Sequence, residues 1–193
     1  MHRPQILTTI VYVTLVFLSC VTCRETRAQS RLDDQRKHIV IIVSEPEYST
    51  EESLTRFAKE ELSGNFKVSL VFGEAQDGNL LPGLEVLKSA DLALISVRRR
   101  TLLPEQLLLI RDFIGSGKPV IGIRTASHAF CLRNQPAPDG RTDWPEFDRD
   151  VIGGSYSGHH GAGPETTIAV ATGHTEHPVL NGIDVMELKG RGS

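Results

Sequence analysis

Between His38 and Val43 the chain sets five β-branched aliphatic residues in a row, Ile39-Val-Ile-Ile-Val43. Such a run has no polar side to turn toward water. It reads as a strand buried on both faces, the pattern of a parallel sheet covered by helices on either side. Two further runs repeat the theme, Phe66–Phe72 and Asp91–Ile95, and a fourth spans Pro119–Ile123. Helical segments lie between them. Ser49 and Glu52 have the spacing of a capping box, and Leu54, Phe57, Ala58 and Leu62 then fall on one face before Gly64. Leu84–Lys88 is a short helical piece. Pro104 suits a first helical turn, with Leu107, Ile110 and Ile114 as the inward stripe and Gly115 and Gly117 as the stop. Strand and helix alternating at these lengths means βαβ units with right-handed crossovers. The expected fold is therefore α/β: a flavodoxin-like, doubly wound, mainly parallel sheet in three α/β/α layers.

The first 28 residues are of a different kind. A positive start at Arg3 is followed by an almost wholly apolar or small stretch from Ile6 to Val21, then by Arg24–Arg27 and a small-residue exit at Ala28. This is the layout of a secretory signal peptide over 1–28, too short and wrongly flanked for a membrane span. It predicts export to the periplasm or the cell exterior, with no stable membrane span after cleavage. An uncleaved anchor is the alternative. Lipid attachment at Cys20 is disfavoured because Phe17 heads its Leu18-Ser19-Cys20 motif. Cleavage removes Arg3, Arg24 and Arg27 with Glu25, leaving 18 basic and 23 acidic residues, and it removes Cys20 and Cys23, leaving Cys131 alone. With no disulfide framework, the exported domain must be held by its core. An acidic balance without a long basic block argues against nucleic acid as a partner.

Residues 29–37 read as a polar linker, 38–185 as the domain and 186–193 as a polar tail. Arg133–Arg149 is a long irregular stretch containing the only tryptophan, Trp144, and such stretches are more often functional than not. Val151–Gly163 is glycine-rich and reads as a loop, and Glu165–Ala171 reads as another strand.

The chemistry concentrates after the fourth strand. Gly122-Ile-Arg-Thr-Ala126 has the form of a strand-to-helix elbow, where the residue after the strand is held in a strained turn. Ligands in open α/β sheets bind at such carboxyl ends. Arg124 stands where a nucleophile would, and a guanidinium neither attacks a carbonyl nor loses its proton. It is instead a fork of donors for a carboxylate, phosphate or sugar hydroxyls, or a local structural pair. His128, four residues on in a helix, would share its face and move protons or bond a sugar, unless it only satisfies a neighbouring backbone group. Of Arg98, Arg99 and Arg100, one is expected to point into the cleft and two into solvent. Five of seven histidines lie from residue 128 to 177, namely His128, His159, His160, His174 and His177, but without an HExxH pattern or a cysteine pair. No cofactor is expected; a divalent metal held by separate loops is the alternative. Asp143, Glu146, Asp148 and Asp150 form the one dense acid cluster near the loop.

Three segments carry a family likeness: Asp91 through GKPVIGIRTASHAF (117–130), DRDVIGGSYSGHHG (148–161) and HPVLNGI (177–183). Over residues 38–185 the chain resembles the ThuA family, named for trehalose utilisation, within the class I glutamine-amidotransferase-like superfamily. The resemblance implies a flavodoxin-like fold and a link to sugar metabolism, with trehalose-type disaccharides or their oxidised forms as ligands. His159 matches the family's Gly-His position. Family members commonly carry a histidine at the elbow, where this chain has Arg124. The expected function is an exported carbohydrate-active domain without amidotransferase activity. In it Arg124, His128 and His159 form the catalytic group, and Arg98, Trp144, Tyr156 and His160 hold the sugar. The alternatives are a non-catalytic carbohydrate-binding domain and a degenerate interaction module with no small ligand. Oligomeric state is left open.

Overall fold

The computed structural model describes residues 35–158, 165–184 and 189–191. The expected signal peptide 1–28, Cys20, most of the linker, and His159 and His160 lie outside the described residues. The chain divides into two compact units, the first ending at Ser155 and the second beginning at Tyr156.

The first unit is the expected α/β layer. β1 (His38–Ser44) pairs in parallel with β2 (Lys67–Phe72) on one side and β3 (Leu92–Val97) on the other, and β3 pairs in parallel with β4 (Val120–Gly122), giving the order β2-β1-β3-β4. All seven residues of β1 are buried, as its unbroken β-branched run requires. Successive strand residues face opposite sides, and the core divides accordingly. Ile39, Ile41, Val43 and Leu94 pack with Leu54 and Ala58 of α1 (Thr50–Phe57) and the turn that extends it. Val40, Ile42, Ala93, Ile95 and Val97 pack on the other face. They meet Leu107, Ile110 and Phe113 of α2 (Pro104–Gly115), Leu84 and Leu87 of a 3-10 segment, and Phe130, Trp144 and Phe147. Each fully buried side chain of this size contributes about 1.5–3 kcal/mol of transfer free energy. The helix after β1 and the helix after β3 thus cover opposite faces. The crossovers reverse between β1 and β3, and this reversal is the topological switch point where a crevice opens beyond the strand ends.

Four local expectations are corrected. Ser49 does not cap α1: it sits in the left-handed region at φ 51° with no side-chain cap bond. The buried Glu45 carboxylate organises that loop instead, accepting from the Glu47 and Tyr48 amides and the Thr50 hydroxyl. Phe57 is exposed, whereas Ile114 packs partly buried on the core face of α2 beside Leu107, Ile110 and Phe113 as expected. β4 is not buried: it is an edge strand among the described residues, and Ile121 is 48% exposed. Finally, the strand read over Glu165–Ala171 covers only Glu165–Thr167 (β5). In the second unit it pairs antiparallel with β6 (Lys189–Arg191), inside the segment read as a polar tail. No helix among the described residues is long and apolar enough to cross a membrane.

Candidate functional site

The elbow is present. Ile123 N–H still donates to Ile95 of the neighbouring strand, and the next residue, Arg124, takes φ 47°. A side chain in this conformation costs roughly 1–2 kcal/mol, and such outliers persist only where surrounding structure imposes them. Gly122 and Ala126 explain how. A Cβ on Gly122 would lie 3.1 Å from the Ala126 Cβ and 2.7 Å from Ile152 Cδ1. Only small residues two positions either side of Arg124 let the chain turn so sharply. Thr125, buried behind the turn, donates its hydroxyl to the Val97 carbonyl at 3.2 Å.

The segment beyond the turn is not an α-helix. Arg124–His128 is a 3-10 segment. Residues three apart eclipse in 3-10 geometry, so His128 is rotated about 120° from Arg124 about the turn axis. The shared face expected for the pair is lost. Arg124 is exposed, and its guanidinium carbon sits 3.7 Å from the ring centroid of Tyr48, in the loop after β1. An exposed cation–π contact of this kind contributes about 0.5–1 kcal/mol.

His128 turns instead toward the loop leaving β3. It is half-buried, its Nδ1 lies 3.0 Å from Ser127 Oγ, and its carbonyl accepts from the Arg99 amide at 3.0 Å. Its pKa is pushed down to about 4, first by burial and then by the positive charges of Arg99, Arg98 and Arg133, with Asp148 opposing. The imidazole is therefore neutral at pH 7: a hydrogen-bonding group and a weak base.

The three arginines after β3 have separate fates. Arg98 binds Glu47 at 2.8 Å. Arg100 donates Nε to the Ser44 hydroxyl and carbonyl at 2.9 and 3.2 Å, and it lies so close over Gly78 that a Cβ there would be 2.5 Å from its guanidinium carbon. Burial lowers its pKa from the usual value. Arg99 stands at φ 51°, and its buried Nε has no hydrogen-bond partner among the described residues. The expectation that two of the three would lie in solvent is thus replaced by two structural pairs and one guanidinium whose buried Nε has no partner among the described residues.

Trp144 does not reach this corner. It is buried in the core, edge-on to Phe147 at 5.3 Å, with the Arg111 guanidinium 3.8 Å over its ring. A sugar therefore has no free indole face to stack on, and the sugar-holding role expected of Trp144 is corrected. Tyr156 is exposed in the second unit. His177 is loop punctuation there, its Nδ1 accepting from the Val179 amide. Of the acid cluster, Asp148 is buried and bears on His128, while Asp150 pairs with Arg149 at 2.9 Å. Among the described residues no three histidine, cysteine or carboxylate side chains are grouped to hold a metal.

Sequence reasoning missed Tyr48 and Glu47 as members of the corner, whereas Asp148 stood in the acid cluster that the sequence singles out. Nothing in local spacing marks Tyr48 and Glu47, since they arrive from a loop remote in sequence. The strand order would have brought Glu47 and Tyr48 into view, because the loop after β1 borders the switch point.

Comparison with known proteins matches no family model, no curated protein and no solved structure.

Proposed function

We propose that the protein is an exported ThuA-like domain that binds a sugar-type small molecule at the elbow corner and performs no amidotransferase chemistry. The observation that carries this reading is Arg124 itself: the strained position after β4 is held at φ 47° and filled by a permanent cation. A side chain there can orient a polyhydroxylated ligand by forked hydrogen bonds but cannot form an acyl-enzyme. Arg124 over Tyr48 offers a donor fork beside an aromatic face. His128, neutral at pH 7, adds a hydrogen-bonding ring nitrogen or a proton acceptor. The signal-like sequence over 1–28 supports export, and the likeness of residues 38–185 to the ThuA family supports a trehalose-type or keto-sugar ligand.

One observation favours the second reading, a carbohydrate-binding domain without catalysis. An imidazole with a pKa of about 4 is poorly matched to general-base work at neutral pH.

A thermal-shift screen against trehalose, other disaccharides, keto-sugars and sugar acids tests the proposal, with a glutaminase assay beside it. The expected result is a sugar-specific rise in melting temperature that disappears in Arg124→Ala, and no glutamine hydrolysis. A protein stabilised by no sugar, or one that hydrolyses glutamine, overturns it.

A further inference from the structure

The loop leaving β3 carries a charge that no acid among the described residues answers. Arg98 is matched by Glu47, and Arg100 is committed to Ser44. Glu45, the other acid of the β1 exit, serves the amides and hydroxyl of its own loop. Arg99 has no such answer. Among the described residues its buried Nε has no acceptor, and no carboxylate pairs with its guanidinium or with that of Arg133. A buried donor without an acceptor forfeits its hydration and gains nothing in return, and the backbone of the same residue is held in the left-handed region. The position is fixed firmly: the Arg99 and Arg100 amides donate to the carbonyls of His128 and Ala129 at 3.0 and 2.7 Å. An unfavourable conformation, an unsatisfied donor and rigid fixing coincide at the carboxyl end of a parallel strand beside the switch point, where ligands bind.

We propose that Arg99 is an anion-binding residue, and that the ligand of this corner carries a carboxylate or phosphate group that Arg99 takes beside His128. The guanidinium fork suits either group, since both offer paired oxygens. Arg98, Arg99 and Arg133 make a local positive field in a chain of net charge −3. The same field helps keep His128 neutral, so an anion arriving there changes the histidine as well. By cancelling the positive charges it raises the affinity of His128 for a proton, and ligand binding and protonation become linked. This inference rests on the proposed sugar-binding function and narrows it: the ligand is a sugar acid or a sugar phosphate rather than a neutral sugar.

The test is calorimetric titration of the full chain with gluconate, glucose 6-phosphate, glucose and inorganic phosphate, together with NMR titration of the His128 ring. Gluconate or glucose 6-phosphate is expected to bind at least tenfold more tightly than glucose. Whichever of the two is preferred identifies carboxylate or phosphate as the group taken. Arg99→Gln should abolish the preference, bringing the affinity for the anionic sugar down to that for glucose, Arg99→Lys should retain part of it, and the His128 pKa should climb from about 4 when the preferred anion is bound. If Arg99→Gln fails to fold, as circular dichroism would reveal, Arg99→Lys and the His128 titration decide. Equal affinity for glucose and the anionic sugars overturns this inference and leaves the sugar reading intact. Binding of inorganic phosphate through Arg99 with no sugar binding supports the anion site and overturns the sugar reading. Binding of none of the four overturns both.

Discussion

β3 and β4 end side by side, and each is followed by an arginine in a conformation that arginines avoid, φ 51° at Arg99 and φ 47° at Arg124. The two exits solve the same backbone problem with opposite side-chain outcomes. Arg124 is exposed and rests on Tyr48. Arg99 is drawn inward, its amide tied to His128 and its Nε without a partner among the described residues. The contrast separates two causes of a strained residue. At Arg124 the cause is steric: the neighbouring small residues Gly122 and Ala126 and the tight turn impose the geometry whatever the side chain. At Arg99 the side chain adds its own unfavourable balance, which a bound anion would relieve.

Breaking the frame under Arg124 should have the largest effect. Gly122→Val drives new atoms against Ala126 and Ile152 and should lower stability by about 1–3 kcal/mol in urea unfolding. Unchanged stability would mean that the close packing does not impose the turn. Acid is the next largest perturbation, and it acts on the Arg99 side. His128 has a folded pKa of about 4, against an ordinary value of 6.5 once the chain unfolds. The unfolded chain therefore binds more protons between these values. Stability is full above pH 6.5 and falls as pH drops toward 4, by about 1–2 kcal/mol once solvent screening of this half-buried group is allowed for. His38 contributes in the same direction, its pKa lowered chiefly by burial. The part of the slope that vanishes in His128→Gln belongs to His128; an identical slope in that variant would contradict the assignment. Smaller effects sharpen the contrast itself. Arg99→Gly removes both the strain and the orphaned donor and should stabilise by about 1 kcal/mol. Arg124→Gly relieves similar strain but loses the contact with Tyr48, so its stability should stay within about 0.5 kcal/mol of the parent. Equal gains from the two glycines would erase the distinction between the exits.

Much of the scaffold was legible because the signals were local and repeated. The run from Ile39 to Val43 required a central strand, and β1 is central. Pro104 and the spacing of Leu107 and Ile110 required α2. The strained turn at residue 124 was readable from Gly122 and Ala126 alone. The misreadings share a physical origin, since each depended on which segments become neighbours. Val120 and Ile121 are as apolar as β1, but only strand order makes β4 an edge. Trp144 looked like a sugar platform until Arg111 and Phe147 covered it. Ser49 had the right spacing for a cap, but the Glu45 carboxylate reached the loop amides first. The relation between Arg124 and His128 failed for a subtler reason: α and 3-10 geometry differ by about 20° per residue, enough over four residues to turn a shared face into two.

The elbow's carbonyls bear on which residues the corner can exchange. His128, Ala129 and Phe130 accept in turn from the amides of Arg99, Arg100 and Trp144. These are main-chain bonds, indifferent to the identity of the side chains that ride on them. The corner is thus a fixed socket whose occupants can be exchanged singly. Substitution at position 124, Arg124→Cys included, should therefore leave these three main-chain bonds in place.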